Sequence, residues 1–172
     1  MQVAEITDIS PCGGPLPDLE VPMINTMVNC LGSQHQKLNF LTIQLALAAT
    51  RLTAEPDDAN ARQRAFELWD EIRRDLWPHL QIEDELVFSW AEARDAISPT
   101  LLDTLKRERE DMRKLVTTLP ASSSETDSQS LASVDGKNFG RTLLALAQTL
   151  DSHVERYDGE VLPSIVRALF RR

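Results

Sequence analysis

From Val28 onward, Leu31, His35, Leu38, Thr42, Leu45 and Ala49 follow one another at alternating steps of three and four residues. That spacing draws one stripe along a helix, and it predicts a first helix with signal from just after Pro22 to about Ala54. The turn Glu55-Pro56-Asp57-Asp58 brings acidic residues to the entry of a second helix, on which Ala65, Leu68, Ile72, Leu76, His79, Glu83, Leu86 and Trp90 keep a similar spacing. Pro78 lies inside this helix, removes an amide donor and crowds the carbonyl four residues back, so a kink is expected just before His79. Ser98-Pro99 reads as an N-cap followed by proline at the first helical position. It opens a third helix with the seam Leu101, Leu105, Glu108, Met112, Leu115 and Leu119. A fourth helix runs from about Asn138 to Phe170 and carries Leu143, Leu146, Leu150, His153, Tyr157 and Val161 on one face.

Between and around these segments the pattern fails. Residues 1–22 hold Pro11, Pro15, Pro17 and the pair Gly13-Gly14, and sustain no period, which predicts an irregular arm. Residues 120–137 are rich in Ser, Thr and Asp and form a polar connection that cannot bury a core. No segment alternates with the two-residue period of a strand. The expectation is an all-α, antiparallel up-and-down four-helix bundle over residues 23–170, a fold that builds its metal sites in the core between helices.

Composition adds exclusions. The 172 residues suffice for one domain with a sizeable core. A formal net charge of −9 repels nucleic-acid phosphates and anionic lipid headgroups, so neither is an expected partner. The chain starts with no basic region followed by an apolar one, and no stretch approaches the roughly 18 apolar residues of a membrane span. A cytoplasmic protein is expected. Cys12 and Cys30 have neither metal-knuckle spacing nor the density of a disulfide framework, and both read as free thiols. Nucleophile elbow, P-loop and glycine-rich dinucleotide motifs are absent, which leaves hydrolase, kinase and dehydrogenase readings without support.

The chemistry lies in polar residues on the apolar faces. The chain has three histidines, and His35, His79 and His153 each fall on the inward stripe of a different helix. Taken singly, a core histidine is more often satisfied by one hydrogen bond than used as a ligand. Three converging on one core ask for a common cause. Glu83 follows His79 by four residues and shares its face, and Glu108 adds a carboxylate from the third helix. Burying such charges costs several kcal/mol each unless a cation or hydrogen bonds compensate, and a metal compensates for all of them together. Imidazole and carboxylate donors suit iron best, with manganese or zinc also acceptable, and no thiolate favours copper(I) or an iron–sulfur cluster.

The segments Gln34-His35-Gln36-Lys37-Leu38, Pro78-His79-Leu80-Gln81-Ile82-Glu83-Asp84 and His153-Val154-Glu155-Arg156-Tyr157-Asp158 resemble the hemerythrin HHE cation-binding family. The resemblance spans about residues 23–170. It implies an up-and-down bundle around a non-haem di-iron centre. The expected ligands are a histidine from the first helix, an HxxxE pair from the second, one or two histidines from the third and an HxxxxD or HxxxE pair from the fourth. Carried over residue by residue, it implies His35, His79, Glu83, His153 and Asp158 as ligands, with Glu83 and Asp158 as bridging carboxylates.

The third helix departs from that pattern, because Lys106-Arg107-Glu108-Arg109-Glu110-Asp111-Met112 contains no histidine. The seam points Glu108 inward, with Met112 where a second histidine would stand, whereas alignment on a family-like Glu-His pair puts Arg109 at the histidine position. With Glu108 bound, the set is three histidines and three carboxylates, closer to a di-iron carboxylate oxidase than to an oxygen carrier. With Arg109 inward, its charge competes with a second metal. In the fourth helix, Asp158 stands five residues past His153, about 140 degrees around an ideal helix, while Tyr157 shares the His153 face. Tyr157 is therefore a candidate extra ligand or hydrogen-bond donor to the centre, besides being an ordinary core aromatic.

Three functions compete on these grounds. One is a metal protein that binds or senses a small ligand such as dioxygen or nitric oxide, or handles iron. The second is a di-iron enzyme acting on dioxygen, peroxide or ferrous ion. The third is a bundle whose site has decayed to one metal or none and which acts through protein interaction.

Overall fold

The computed structural model describes residues 21–120 and 134–170, and all of its regular elements are helical. The proline-rich arm up to residue 20, Cys12 and most of the polar connection (residues 121–133) lie outside the described residues. Val21 and Pro22, read from the sequence as the end of the arm, already belong to α1 (Val21–Ala54). Asp58 caps α2 (Ala59–Ile82) by accepting from the amides of Asn60 at 2.9 Å and Ala61 at 3.0 Å. A π-helical turn, Glu83–Phe88, continues α2 into the short α3 (Ser89–Ala93). The Ser98 hydroxyl accepts from the Leu101 amide at 3.2 Å and opens α4 (Pro99–Thr118). Asp135 caps α5 (Gly136–Arg156), which passes through a second π turn, Tyr157–Val161, into α6 (Leu162–Leu169). No strand occurs among the described residues, and no described helix is long and apolar enough to cross a membrane.

Two local features add to the sequence pattern. The second helix continues as α-helix through Pro78 to Ile82, and a π-helical turn follows from Glu83. Leu76, His79 and Leu80 are buried around the proline, so packing holds the helix across the missing hydrogen bond. The α4 seam also shifts register. The buried positions are Leu102, Leu105, Arg109, Met112, Val116 and Leu119, while Leu101, Glu108 and Leu115 are only half-buried. Both rows have the same three-and-four spacing, and the observed one admits a charged residue that has partners inside.

The helices bundle with α1 against α2 and α5, and α4 on α5. Their apolar faces form two separate clusters. One gathers Leu41, Leu45, Leu52, Trp69, Ile72, Leu76, Met112, Leu143 and Leu150. The other gathers Leu31, Val87, Phe88, Trp90, Leu102, Leu105, Tyr157, Val161 and Ile165. On each of the four long rods, the residues that separate the two clusters are polar and buried: His35 on α1, His79 and Glu83 on the second rod, Arg109 on α4 and His153 on α5. Each fully buried leucine or phenylalanine contributes about 1.5–3 kcal/mol, so the clusters supply the stability against which a desolvated polar layer is held.

Candidate metal centre

Each rod supplies its part of the layer by simple spacing. His79 and Glu83 are four residues apart on one helical face and reach the same point. His35 and His153 arrive from α1 and α5. All three imidazoles turn Nε2 toward the Glu83 carboxylate. From Glu83 Oε1 the separations are 3.2 Å to His153, 3.3 Å to His79 and 3.7 Å to His35, and the Nε2 atoms of His35 and His79 are 3.1 Å apart. The four side chains are 0–1% exposed.

Hydrogen bonds on the far side of two rings decide what faces inward. Asp158 Oδ1 lies 2.8 Å from Nδ1 of His35, and Gln34 Oε1 lies 3.0 Å from Nδ1 of His79. Both oxygens accept, so both Nδ1 atoms donate, and in the neutral rings each Nε2 presents its lone pair inward. With those rings neutral, two imidazole lone pairs and a carboxylate oxygen converge within 3.1–3.7 Å, an arrangement that repels itself unless a proton or a metal cation lies among them.

The spacing fits a metal ion. Donors about 2.1 Å from a shared ion are ~3.0 Å apart at a right angle and ~3.4 Å apart in a tetrahedron. His35, His79, Glu83 and His153 each offer one ligand atom, all within 4.8 Å of one another. Other atoms of the layer lack partners: Glu83 Oε2, His153 Nδ1 and the Tyr157 hydroxyl are buried with no hydrogen bond.

A family model for the hemerythrin HHE cation binding domain matches residues 26–165. The chain belongs to the hemerythrin HHE cation-binding domain family. No curated protein and no solved structure matches it significantly. Membership in a cation-binding hemerythrin-like family agrees with a buried cluster of this composition, which could hold a metal ion.

The ionisable groups of the layer shift one another. Burial would push the Glu83 carboxyl up, but His153, His35 and His79 outweigh it and hold it well below the ordinary carboxylate range. Burial likewise lowers the His35 imidazole, yet contacts with Glu83 and Asp158 leave it raised. His79 stays lowered, chiefly by burial, with Glu83 offsetting only part. Burial and the negative charges of Glu83 and Asp158 push the Tyr157 phenol well up, against a smaller opposing effect of Arg109.

The remaining residues singled out from the sequence occupy a surrounding ring. Asp158 is half-exposed on the π turn and bonds to His35. A π turn takes in one more residue than an α turn, which brings position i+5 from His153 back toward the site. Tyr157 packs edge-on to His35 with ring centroids 4.6 Å apart. Glu108 lies outside the four-donor cluster: its Oε1 accepts from Arg156 Nε at 2.9 Å, and its Oε2 is 4.0 Å from His153 Nδ1, the ring nitrogen turned away from the cluster. Arg109 is 1% exposed, with Nε 3.7 Å from Glu83 Oε2. It donates to Asp84 Oδ1 and, at 2.5 Å, to the Leu80 carbonyl, and Arg113 joins Asp84 at 2.7 Å. Cys30 is exposed and free.

Sequence reading assigned no role to Gln34, Asp84 or Arg156. Gln34 adjoins His35 in the family-like segment, and Asp84 directly follows Glu83, so position was the signal available for both. Arg156 carried none, because its role depends on a partner 48 residues away.

Proposed function

We propose that this chain is a non-haem metal protein, iron-loaded in use, that binds or senses a small ligand such as dioxygen or nitric oxide at a centre held by His35, His79, Glu83 and His153. The observation that carries the reading is the inward convergence of three Nε2 atoms on Glu83 Oε1, with the Nδ1 atoms of two of those rings tied to Asp158 and Gln34. In this reading the helices run up and down, antiparallel, so that all four long rods contribute to one layer.

A bound iron ion would supply coordination positions beyond the four protein donors, open to an added ligand. The chain does the rest. Asp158 and Gln34 fix ring orientation, the two apolar clusters above and below the layer exclude water, and Tyr157 offers a hydroxyl that lacks a protein partner. Donors that are 0–1% exposed are closed to a bulky organic substrate, which favours a diatomic molecule or peroxide. The enzymatic alternative drew its support from a carboxylate-rich set including Glu108. With Glu108 engaged by Arg156, ligand binding is the reading favoured here.

The test is metal analysis of protein purified from iron-supplemented cells, followed by anaerobic reduction and addition of nitric oxide or dioxygen with visible spectroscopy. A reversible spectral change without sustained consumption of oxygen or peroxide is expected. Sustained turnover would establish the enzyme instead. Under about 0.3 metal per chain, with melting unchanged by chelator, would remove both metal readings in favour of an interaction module.

A further inference from the structure

The two oxygens of Glu83 face different partners. Oε1 looks into the three imidazoles, while Oε2, buried and without a hydrogen bond, looks toward the Arg109 guanidinium at 3.7 Å. We propose that the centre holds one metal ion per chain, with the Arg109 guanidinium occupying the place beside Glu83 Oε2 that a second ion would need. The proposal rests on the metal-binding reading above and specifies the number of ions.

Arg109 is fixed there from several sides. Nη1 donates to Asp84 Oδ1, Nη2 donates to the Leu80 carbonyl, and the guanidinium carbon lies 5.0 Å from the centroid of the Phe88 ring. These contacts engage both terminal nitrogens of the planar fork, leave Nε facing Glu83 without a hydrogen bond, and hold the group against an aromatic face. The guanidinium carries a fixed positive charge. A carboxylate links two metal ions only when each oxygen is free to meet one. Here the second oxygen meets a fixed positive charge, and a divalent ion in the same space would be repelled at contact distance in a buried, weakly screened site.

The donors left over are too few for a second ion. No histidine comes from α4. Asp84 is taken by Arg109 and Arg113, and Glu108 and Asp158 each have one oxygen committed, to Arg156 and to His35. Arg109 also helps to orient Glu83, since one oxygen faces the imidazoles and the other the guanidinium.

The experiment is anaerobic titration of the full, metal-stripped chain with ferrous ion, and with zinc as a redox-inert probe, read by metal analysis after removal of free ion. Saturation near one ion per chain is expected for wild type. After oxidation, the iron-loaded protein should give the electron paramagnetic resonance signal of an isolated high-spin ferric ion, whereas an antiferromagnetically coupled ferric pair is silent. Two ions per chain with the silent spectrum would overturn the proposal and leave the metal-binding reading intact. No bound ion would instead sink that reading. Arg109→His returns a nitrogen donor to α4 and removes the charge, so its capacity should rise toward two. A folded variant still saturating at one would show that Arg109 is not what excludes the second ion. Should that variant lose its helical circular dichroism, the wild-type count and spectrum decide alone.

Discussion

Asp158 and Gln34 do for two imidazoles what the coordinating atoms cannot do for themselves: they choose the ring nitrogen that points inward. Asp158 is half-exposed, so its replacement should leave the core intact and act on the centre alone. Asp158→Ala is expected to weaken ferrous or zinc affinity by ~10–100-fold, the usual cost of removing a group that orients a ligand, at unchanged stoichiometry. Competition with a coloured chelator would measure it. A lost binding step would place Asp158 among the ligands, and unchanged affinity would remove the orienting role. The Tyr157 hydroxyl is the opposite case, a buried polar group with no protein partner. In metal-stripped protein, Tyr157→Phe should leave unfolding free energy unchanged or raise it by up to ~1 kcal/mol, because an unsatisfied donor is removed. A drop of ~2 kcal/mol in urea denaturation would show that the hydroxyl is paired. The three histidines and Glu83 were legible in the sequence because apolar residues flank them at helical spacing. Arg109 was not: rows through Glu108 and through Arg109 have identical periodicity, and only the Asp84 carboxylate and Leu80 carbonyl waiting inside make the arginine the buried one.

At the scale of elements, close packing of α1 on α5 and the two π turns set the site. A Cβ at Gly140 would stand 2.6 Å from Thr53 Oγ1 and 2.9 Å from the Ala49 carbonyl oxygen, so α1 and α5 approach more closely there than alanine permits. Overpacking costs about 1–3 kcal/mol against a gain of up to ~1 kcal/mol in helix propensity, and Gly140→Ala should be net destabilising in urea. Gly159 has open space around its Cβ position, so Gly159→Ala should be neutral or stabilising by up to ~1 kcal/mol. A loss at Gly159 would mean that the π turn requires glycine. Helix ends at Ser98 and Ala54, and the buried face of the fourth helix, were readable from caps and periodicity. The π turns were not, because a turn with one extra residue leaves no compositional mark. Each begins four residues after a histidine of the site, at Glu83 after His79 and at Tyr157 after His153. Each also sends the next residue, Asp84 or Asp158, to a neighbouring rod.

In the whole molecule, a polar layer divides two apolar clusters, and the layer's self-repulsion opposes the stability that the clusters provide. A cation that binds the folded chain and not the unfolded one adds about 2.7 kcal/mol at a hundredfold excess over its dissociation constant. For a chain of this size that corresponds to a rise of roughly 5–10 °C in melting temperature on ferrous or zinc addition, reversed by chelator. Calorimetry with and without metal checks this, and identical melting curves would mean that the layer is satisfied by protons and hydrogen bonds alone. The bundle and its cation-binding family were readable early, since both rest on repeated spacing and short motifs. How many ions the layer holds was not, because that depends on where one arginine turns. The central claim is that His35, His79 and His153 bind one ion together with Glu83. X-ray absorption on the iron-loaded protein tests it most directly: scattering from about three imidazoles per iron and no iron–iron vector is predicted. Iron bound without imidazole scattering, or with a sulfur shell from Cys30, would contradict it.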